Sequence, residues 1–354
     1  MRVEVSPPKC SSQKGKRLMH AIILHSTGGP DQLHLEEVPE PQAGPGEAVV
    51  RLKAAALNHR DVWIRRGLYA GIKLPMILGS DGAGVVESIG EGVVASLAGS
   101  SVLINPSLNW GDDGRAQGPE FNILGLPRDG TYAAKVAVPV VNLHPVPEGF
   151  SWEEAAAIPL ASLTAYRALV SRARLNARNT LVITGIGGGV STFGLLIARQ
   201  LGAKVLVTSG SNAKLERARL LGAEAGVNYR DADWDKQLLA LSEGKGPDIV
   251  LDSVGGETLA RCISLLKPGG CLVTYGATTG LVKEFNLRQV FWKQLTILGS
   301  TMGSPEEFSE MLKLYGSGGI KPVLDQIFPL SEAAEAHRRM EEAEQFGKIV
   351  LRIE

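Results

Sequence analysis

Cysteine is scarce in this chain: three residues in 354, Cys10, Cys262 and Cys271, far apart and with no Cys-x-x-Cys pair. That scarcity excludes a disulfide framework and points to a reducing compartment, so the cytoplasm is the expected location. Net charge is missing too, because 37 Lys and Arg balance 37 Asp and Glu. No global field then draws the chain to nucleic acid or anionic lipid, and neither is expected as a partner. No apolar run approaches the roughly 18 residues that begin to span a bilayer. Internal repeats and low-complexity blocks are likewise absent from the sequence.

What remains is an ordinary globular composition, 44% hydrophobic and 21% charged. The length favours about two domains with sizeable cores, and 42 glycines suit many tight strand–helix turns. Residues 1–18 stand apart, with Arg2, Lys9, Lys14, Lys16 and Arg17 against the single Glu4, plus Ser6, Ser11 and Ser12. They lack the apolar core of a secretory signal, and Glu4 with Pro7-Pro8 spoils the amphipathic helix of a transit peptide. A disordered basic extension is expected there, with organelle targeting as the alternative.

The most informative stretch is Leu181-Val-Ile-Thr-Gly-Ile-Gly-Gly-Gly-Val-Ser-Thr-Phe-Gly194. Apolar and β-branched residues run into a glycine cluster, and a helical pattern follows through Val190, Phe193, Ile197 and Leu201. A strand turning onto a helix N-terminus through small residues is how an α/β sheet holds a pyrophosphate. Bare backbone N–H groups and the helix dipole face the anion there, and side chains would block its approach. Gly185, Gly187, Gly188, Gly189 and Val190 are therefore candidate cofactor-binding residues. Gly202 stops the helix, and residues 204–209 read as a second buried strand, completing one βαβ unit of about 30 residues. The alternative is an ordinary glycine-rich turn of an α/β protein.

An NAD site usually places Asp or Glu about 20 residues on, at the end of that second strand, to bind the ribose 2′-hydroxyl. Here the stretch is Ser209-Gly-Ser-Asn-Ala-Lys214, with no carboxylate before Glu216. Hydroxyls and a cation can meet a 2′-phosphate that a carboxylate would repel. NADP is the expected cofactor, with Ser209, Ser211 and Lys214 as its readers. Alternatively, Ser211 or Asn212 only caps a helix at 213–221 and Lys214 is a solvated first-turn residue.

From Met19, short strands are expected at 20–25, 33–38 and 47–55, with Pro and Gly recurring up to Val141 at about the 8–12-residue spacing of a mostly antiparallel, barrel-like β domain. A long helical stretch covers 152–170. Strands at 181–184, 205–208, 248–252, 270–276 and 295–299 then alternate with helices such as 213–221 and 258–266, which implies a doubly wound parallel sheet with right-handed crossovers. The tail carries helices at 305–315 and 331–344 and a strand at 348–353, and is expected to return to the first domain. The expected division is 19–144 with 304–354 as one domain and 145–303 as the dinucleotide-binding domain.

Several motifs now stand in order: Leu57-Asn-His-Arg-Asp61 with Gly67-Leu-Tyr69, Pro75-Met-Ile-Leu-Gly-Ser-Asp-Gly-Ala-Gly84, and Pro159-Leu-Ala-Ser-Leu-Thr-Ala-Tyr166. The glycine loop, Asp252-Ser-Val-Gly-Gly256 and Phe346-Gly-Lys348 complete the set. From about residue 19 onward the chain resembles the medium-chain dehydrogenase/reductase superfamily, in its zinc-free quinone oxidoreductase-like branch. The resemblance implies an α/β protein with a GroES-like β-rich catalytic domain and a Rossmann domain, commonly a homodimer. One departure is Ser191, where the family usually has Gly; serine is small enough for the turn to survive.

Zinc relatives carry Cys, His and a third ligand at positions that resemble Asn58, Ser80 and, loosely, Leu160 here, and four cysteines between about 105 and 130, where this chain has none. No metal site is therefore expected, although His59, Asp61 and Asp81 remain nearby. The resemblance places Asn58 and Thr164 near the nicotinamide and its phosphate, and Tyr229 and Lys214 by the adenosine phosphate. Ser253, Gly276, Ser300 and Lys348 would line the rest of the groove. Tyr69 matches a tyrosine at the active-site mouth of quinone reductases, taken as the proton donor in related enoyl reductases; a phenol can give a hydrogen bond or a proton. Tyr69 and Asn58 are thus the catalytic candidates, with simple packing as the alternative for Tyr69. Asp61 reads as a helix-capping residue rather than a general acid, and His59 as groove-lining.

The implied activity is NADPH-dependent hydride transfer to a quinone or an activated alkene without metal assistance. The alternatives are a zinc alcohol dehydrogenase and a non-catalytic NADPH-binding protein with a structural or RNA-binding role. The acceptor pocket, formed from loops in 58–130 and near Phe291-Trp292, carries no specific code.

Overall fold

The computed structural model describes residues 17–316 and 319–354. Residues 1–16 of the expected basic extension lie outside the described residues.

The ten-residue strand Glu47–Ala56 organises the β-rich part. It pairs antiparallel with Asp81–Ile89, with Lys135–Pro139 and with the C-terminal strand Lys348–Arg352. Ser101–Ile104, Leu143–Pro145 and Leu324–Pro329 complete a seven-stranded sheet. A three-stranded sheet of Leu18–Leu24, Leu33–Pro39 and Met76–Ile77 shares its core through Ile22, Leu24, Leu52, Val86 and Leu351. Gly84 shows why glycines interrupt the strand Asp81–Ile89: a Cβ there would come within 2.1 Å of the Arg51 carbonyl oxygen.

The second sheet is wholly parallel and six-stranded, in the order Ala225–Asn228, Lys204–Ser209, Thr180–Ile183, Ile249–Asp252, Cys271–Thr274, Thr296–Gly299. Its central strands bury Val, Ile and Leu on both faces because helices cover both sides. The chain leaves Thr180–Ile183 for one flank and returns on the other, so a crevice opens at the C-terminal end of that strand, the switch point of a doubly wound sheet. No described helix is long and apolar enough to cross a membrane.

Alanines join the two parts. Ala155, Ala156, Ala157 and Ala161 pack in one core with Ala54, Ala56 and Ala83 of the β-rich sheet and Phe193 of the helix Gly189–Gln200. Small side chains let the helices lie close to the sheet. The expected continuous helix over 152–170 is instead broken into Trp152–Ala157, Pro159–Tyr166 and a π-helical turn Arg167–Arg172. Pro159 has no N–H to continue the first helix and a φ suited to starting the next. The elements that sequence periodicity missed in the second half of the chain are short: Ala225–Asn228, Trp234–Leu241, Leu287–Trp292 and Leu324–Pro329. The first contains a glycine, and the last is an edge strand ending in proline, where a missing donor is tolerated.

One buried polar contact makes the fold pH-sensitive. His337, on the helix Ala333–Glu341, is fully buried; its Nδ1 accepts from Arg65 Nε at 3.3 Å, and its ring meets the Tyr132 ring edge-on at 5.9 Å. Burial, and then the Arg65 charge, pushes the imidazole down to about 3. The unfolded chain protonates this ring near pH 6.5, whereas the folded one stays neutral until about pH 3. The contribution of neutral His337 is thus complete above the unfolded value and lost as pH falls, by about 1.4 kcal/mol per pH unit. We expect His337→Gln, which keeps an acceptor for Arg65, to flatten the fall in unfolding free energy between pH 6 and 4 in urea titrations; an unchanged slope would contradict the assignment.

Candidate active site

The glycine loop lies at the switch point. Gly185 has φ +62° and Gly187 φ +133°, both unfavourable for side chains. A Cβ on Gly187 would come within 3.0 Å of Lys214 Cδ and 3.3 Å of the Gln345 carbonyl oxygen; one on Gly189 would meet Lys348 Cδ at 2.8 Å. Gly188 is the N-cap of the twelve-residue helix Gly189–Gln200 and supplies no capping side chain, while Val190 is half-buried in its first turn. Ser191 does more than fit: its Oγ donates to the Gly188 carbonyl at 2.9 Å and accepts from Gly187 N at 3.2 Å, tying the turn together. This cradle suits the pyrophosphate of a nicotinamide dinucleotide. His59 is exposed beside these lysines, and desolvation, then the Lys348 and Lys214 charges, hold its imidazole below the ordinary range.

At the end of strand Lys204–Ser209, the residues singled out by sequence separate into two groups. Ser209 Oγ accepts from Ser211 N at 3.2 Å, and Ser211 is the N-cap of Asn212–Leu220 without a side-chain capping bond. Tyr229 borders the same turn: a Cβ on Gly210 would lie 2.7 Å from its hydroxyl and 3.0 Å from Arg230 Nε. Lys214 turns elsewhere. Its ammonium donates to the Ala343 carbonyl and lies beside Gly187, and desolvation lowers it below the usual lysine range despite the opposing charge of Asp325. Arg230 escaped the sequence reading because the strand that delivers it, Ala225–Asn228, was not recognised.

The other end of the crevice is built on Asn58, N-cap of the helix His59–Arg65. Asp61 closes a capping box, accepting from Asn58 N at 2.8 Å, and also accepts from the Tyr132 hydroxyl at 3.0 Å. Burial raises the Asp61 carboxyl, opposed by the Arg60 charge and these hydrogen bonds. Lys348, buried, donates to the Leu57 carbonyl at 2.7 Å, to Asn58 Oδ1 at 2.7 Å and to Asp81 Oδ2 at 2.8 Å. The second oxygen of Asp81 accepts from Leu160 N at 2.8 Å, and Asn58 Nδ2 donates to Oδ2 at 2.9 Å. Thr164 is buried, its hydroxyl bonded back to the Leu160 carbonyl.

Ser253 and Gly276 adjoin each other, since a Cβ on Gly276 would lie 3.3 Å from the Ser253 carbonyl oxygen. Ser300, beside Thr274, keeps a buried hydroxyl with no partner among the described residues. Tyr69, 38% exposed, lies under a guanidinium: Arg60 Cζ is 5.3 Å from its ring centroid. Arg60 in turn donates to Ser80 Oγ at 2.7 Å and to the Leu124 carbonyl at 2.9 Å.

The side chains that resemble the zinc-ligand positions do not suit that ion. Asn58 already holds an ammonium group, as does the neighbouring Asp81, Ser80 holds a guanidinium, and Leu160 offers no donor atom in its side chain. Among the described residues, no three His, Cys, Asp or Glu side chains converge as a metal site.

Removing the Lys348 charge should leave Asp81 buried and uncompensated. Breaking such a pair costs about 3–5 kcal/mol. Lys348→Met is expected to lose that much in urea unfolding, and Lys348→Met with Asp81→Asn to recover more than half; failure of the double variant to recover would show that the loss is packing alone.

Comparison with known proteins bears on the same residues. Residues 44–148 match the family model described as alcohol dehydrogenase GroES-like domain, and 189–317 the one described as zinc-binding dehydrogenase. A zinc-type alcohol dehydrogenase-like protein of Leptosphaeria maculans is 36% identical over 342 residues, covering 91% of this chain and 94% of that protein. The quinone oxidoreductase of Mus musculus is 31% identical over 335 residues, covering 91% and 94%. The crystal structure of an NAD-dependent alcohol dehydrogenase matches with a TM-score of 0.91 at 42% identity, covering 95% of this chain and 100% of that one. With such identity along nine-tenths of both partners and a GroES-like part joined to a Rossmann sheet, this chain belongs to the medium-chain dehydrogenase/reductase superfamily of oxidoreductases.

Proposed function

We propose that the protein is an NADPH-dependent reductase of quinones or of alkenes conjugated to a carbonyl, acting without a metal ion. The observation that carries this reading is the end of strand Lys204–Ser209. It offers the hydroxyls of Ser209 and Ser211, with the Tyr229 hydroxyl and the Arg230 guanidinium beside Gly210, and no carboxylate in the turn. A 2′-phosphate finds donors there, and a 2′-hydroxyl lacks its usual acceptor. Lys214 adjoins Gly187 and Lys348 adjoins Gly189, so two ammonium stems border the glycine loop.

Bound in this crevice, NADPH supplies a hydride. The chain orients the acceptor, keeps water away and provides a proton, a division of labour common to cofactor enzymes. The donor set around Asn58, Ser80 and Leu160 offers no Lewis acid, which favours acceptors whose own conjugation takes up the incoming electron pair. Tyr69 is 38% exposed, its ring facing Arg60, and is the residue from which we take the proton.

Arg230→Ala is expected to raise KM for NADPH by about 10-fold or more, the loss of one charge-assisted contact, while leaving KM for NADH within about twofold. Lys214→Ala should raise both together, because its ammonium lies at Gly187. Equal effects of Arg230→Ala on the two coenzymes in initial-rate assays would remove the 2′-phosphate reading. Chelators should leave the rate with quinones or enones unchanged.

We also infer a homodimer. The strand Thr296–Gly299 ends the parallel sheet with an edge unpaired among the described residues, and Leu281, Leu287, Phe291 and Trp292 are 90%, 67%, 66% and 78% exposed. An open edge bordered by large apolar side chains is suited to burial against a second copy. Sedimentation should give twice the mass of one chain, and Leu287→Asp with Trp292→Asp should halve it; a wild-type monomer at micromolar concentration would end this inference.

A further inference from the structure

Arg60 is an unusual place for a cation. It is the second residue of the helix His59–Arg65, at the helix end where the dipole disfavours positive charge. Its side chain is 9% exposed, and among the described residues it forms no ion pair; its Nε is buried without a hydrogen-bond partner. The adjacent carboxylate, Asp61, is engaged by Asn58 N and the Tyr132 hydroxyl. Buried charges are ordinarily paired. Here the guanidinium is instead anchored by neutral groups, Ser80 Oγ and the Leu124 carbonyl, with its remaining face over the Tyr69 ring. The Ser80 hydroxyl itself donates to the Leu124 carbonyl at 2.8 Å, which fixes the anchor in turn.

We propose that Arg60 is a positioning residue that acts through Tyr69: the guanidinium, near the Asp61 charge but hydrogen-bonded to no carboxylate, turns its free face to the phenolate formed during turnover. This rests on the reading of Tyr69 as the proton donor. In the reaction the acceptor is reduced, gaining a hydride at one atom and the Tyr69 hydroxyl proton at another, and the coenzyme is oxidised. The O–H bond breaks at Tyr69 Oη, the electron pair stays on that oxygen, and water returns the proton before the next cycle. A cation fixed against the ring face stabilises the anion on that ring and restrains its orientation. The guanidinium thus favours acceptors whose reduction needs a delivered proton, such as conjugated enones, over those that accept electrons and are protonated by solvent.

A double-mutant cycle tests this. Wild type, Arg60→Met, Tyr69→Phe and the double variant are compared for kcat and KM with a cyclic enone, for NADPH binding by fluorescence titration and for thermal unfolding. Arg60→Met should lower kcat by about 10- to 100-fold with NADPH binding within about twofold. Arg60→Lys should recover part of the loss, and the double variant should fall no further than Tyr69→Phe alone. If Arg60→Met does not fold, Ser80→Ala releases the anchor without removing the charge and takes its place in the cycle, with a smaller loss that vanishes beside Tyr69→Phe. Losses that multiply in the double variant would overturn the proposal, because Arg60 would then act independently. An Arg60→Met enzyme at wild-type kcat beside an impaired Tyr69→Phe would overturn it and leave the proton-donor reading standing. A fully active Tyr69→Phe would bring down both.

Discussion

The buried pair of Lys348 and Asp81 is the contact on which the crevice depends. Taking two charges out of water costs several kcal/mol each, and their attraction offsets that cost only when every donor and acceptor is satisfied. Here they are. All three ammonium protons have oxygen partners, and both carboxylate oxygens accept hydrogen bonds from the chain as well. These bonds fasten together four segments distant in sequence: the end of strand Glu47–Ala56, the start of Asp81–Ile89, the helix Pro159–Tyr166 and the C-terminal strand. The stem of Lys348 also runs under Gly189, so the same side chain sets the distance between the glycine loop and Asn58. Gly347 N donates to the Gly187 carbonyl at 2.9 Å, reinforcing that spacing. Asn58 and the glycine loop are therefore held in register by one residue of the last strand.

The sequence disclosed most where function depends on local backbone. A strand, four glycines and a helix define the cradle within 15 residues or so, because main-chain groups at such a turn are what meet an anion. Asn58 and Asp61 form a capping box three residues apart, so their spacing alone carries it. It disclosed least where side chains cross between elements. Lys348 belongs to a recognisable Phe-Gly-Lys motif, yet nothing local says that its ammonium meets Asp81, 267 positions away. Lys214 was placed by its distance from the second strand, and no local pattern says that its four-carbon stem carries the ammonium to the Ala343 carbonyl. Arg230 was hidden by a strand of four residues, one of them glycine, too short for a periodic signal.

The fold yields the same contrast. The parallel sheet was readable strand by strand where Val, Ile and Leu run together, as in Thr180–Ile183 and Lys204–Ser209, since both faces are buried. The long helical texture at 152–170 was readable as helix but not as three pieces, because the alanines that favour helix also serve as a flat packing surface against Ala54, Ala56 and Ala83. Where burial, not propensity, decides an element, composition points to the state and only packing gives its ends.

Arginine twice occupies a place where zinc relatives are expected to use metal. At the crevice floor, Arg60 joins Ser80 to the Leu124 carbonyl. In the lobe at 105–130, where those relatives carry four cysteines and this chain has none, Arg167 does comparable work from the π-helical turn. It donates to the Gly114 carbonyl at 3.1 Å and the Arg115 carbonyl at 2.7 Å, pairs with Glu307 at 2.6 Å, and lies 4.8 Å over the Trp110 ring. A guanidinium suits this substitution: it is planar, always charged, and presents several donors in fixed directions, so one side chain can cross-link irregular backbone as an ion would. Unlike an ion it cannot polarise a carbonyl by direct coordination, and it leaves no open ligand position. Arg167 and Arg60 thus cross-link irregular backbone by hydrogen bonds within the architecture of a dehydrogenase.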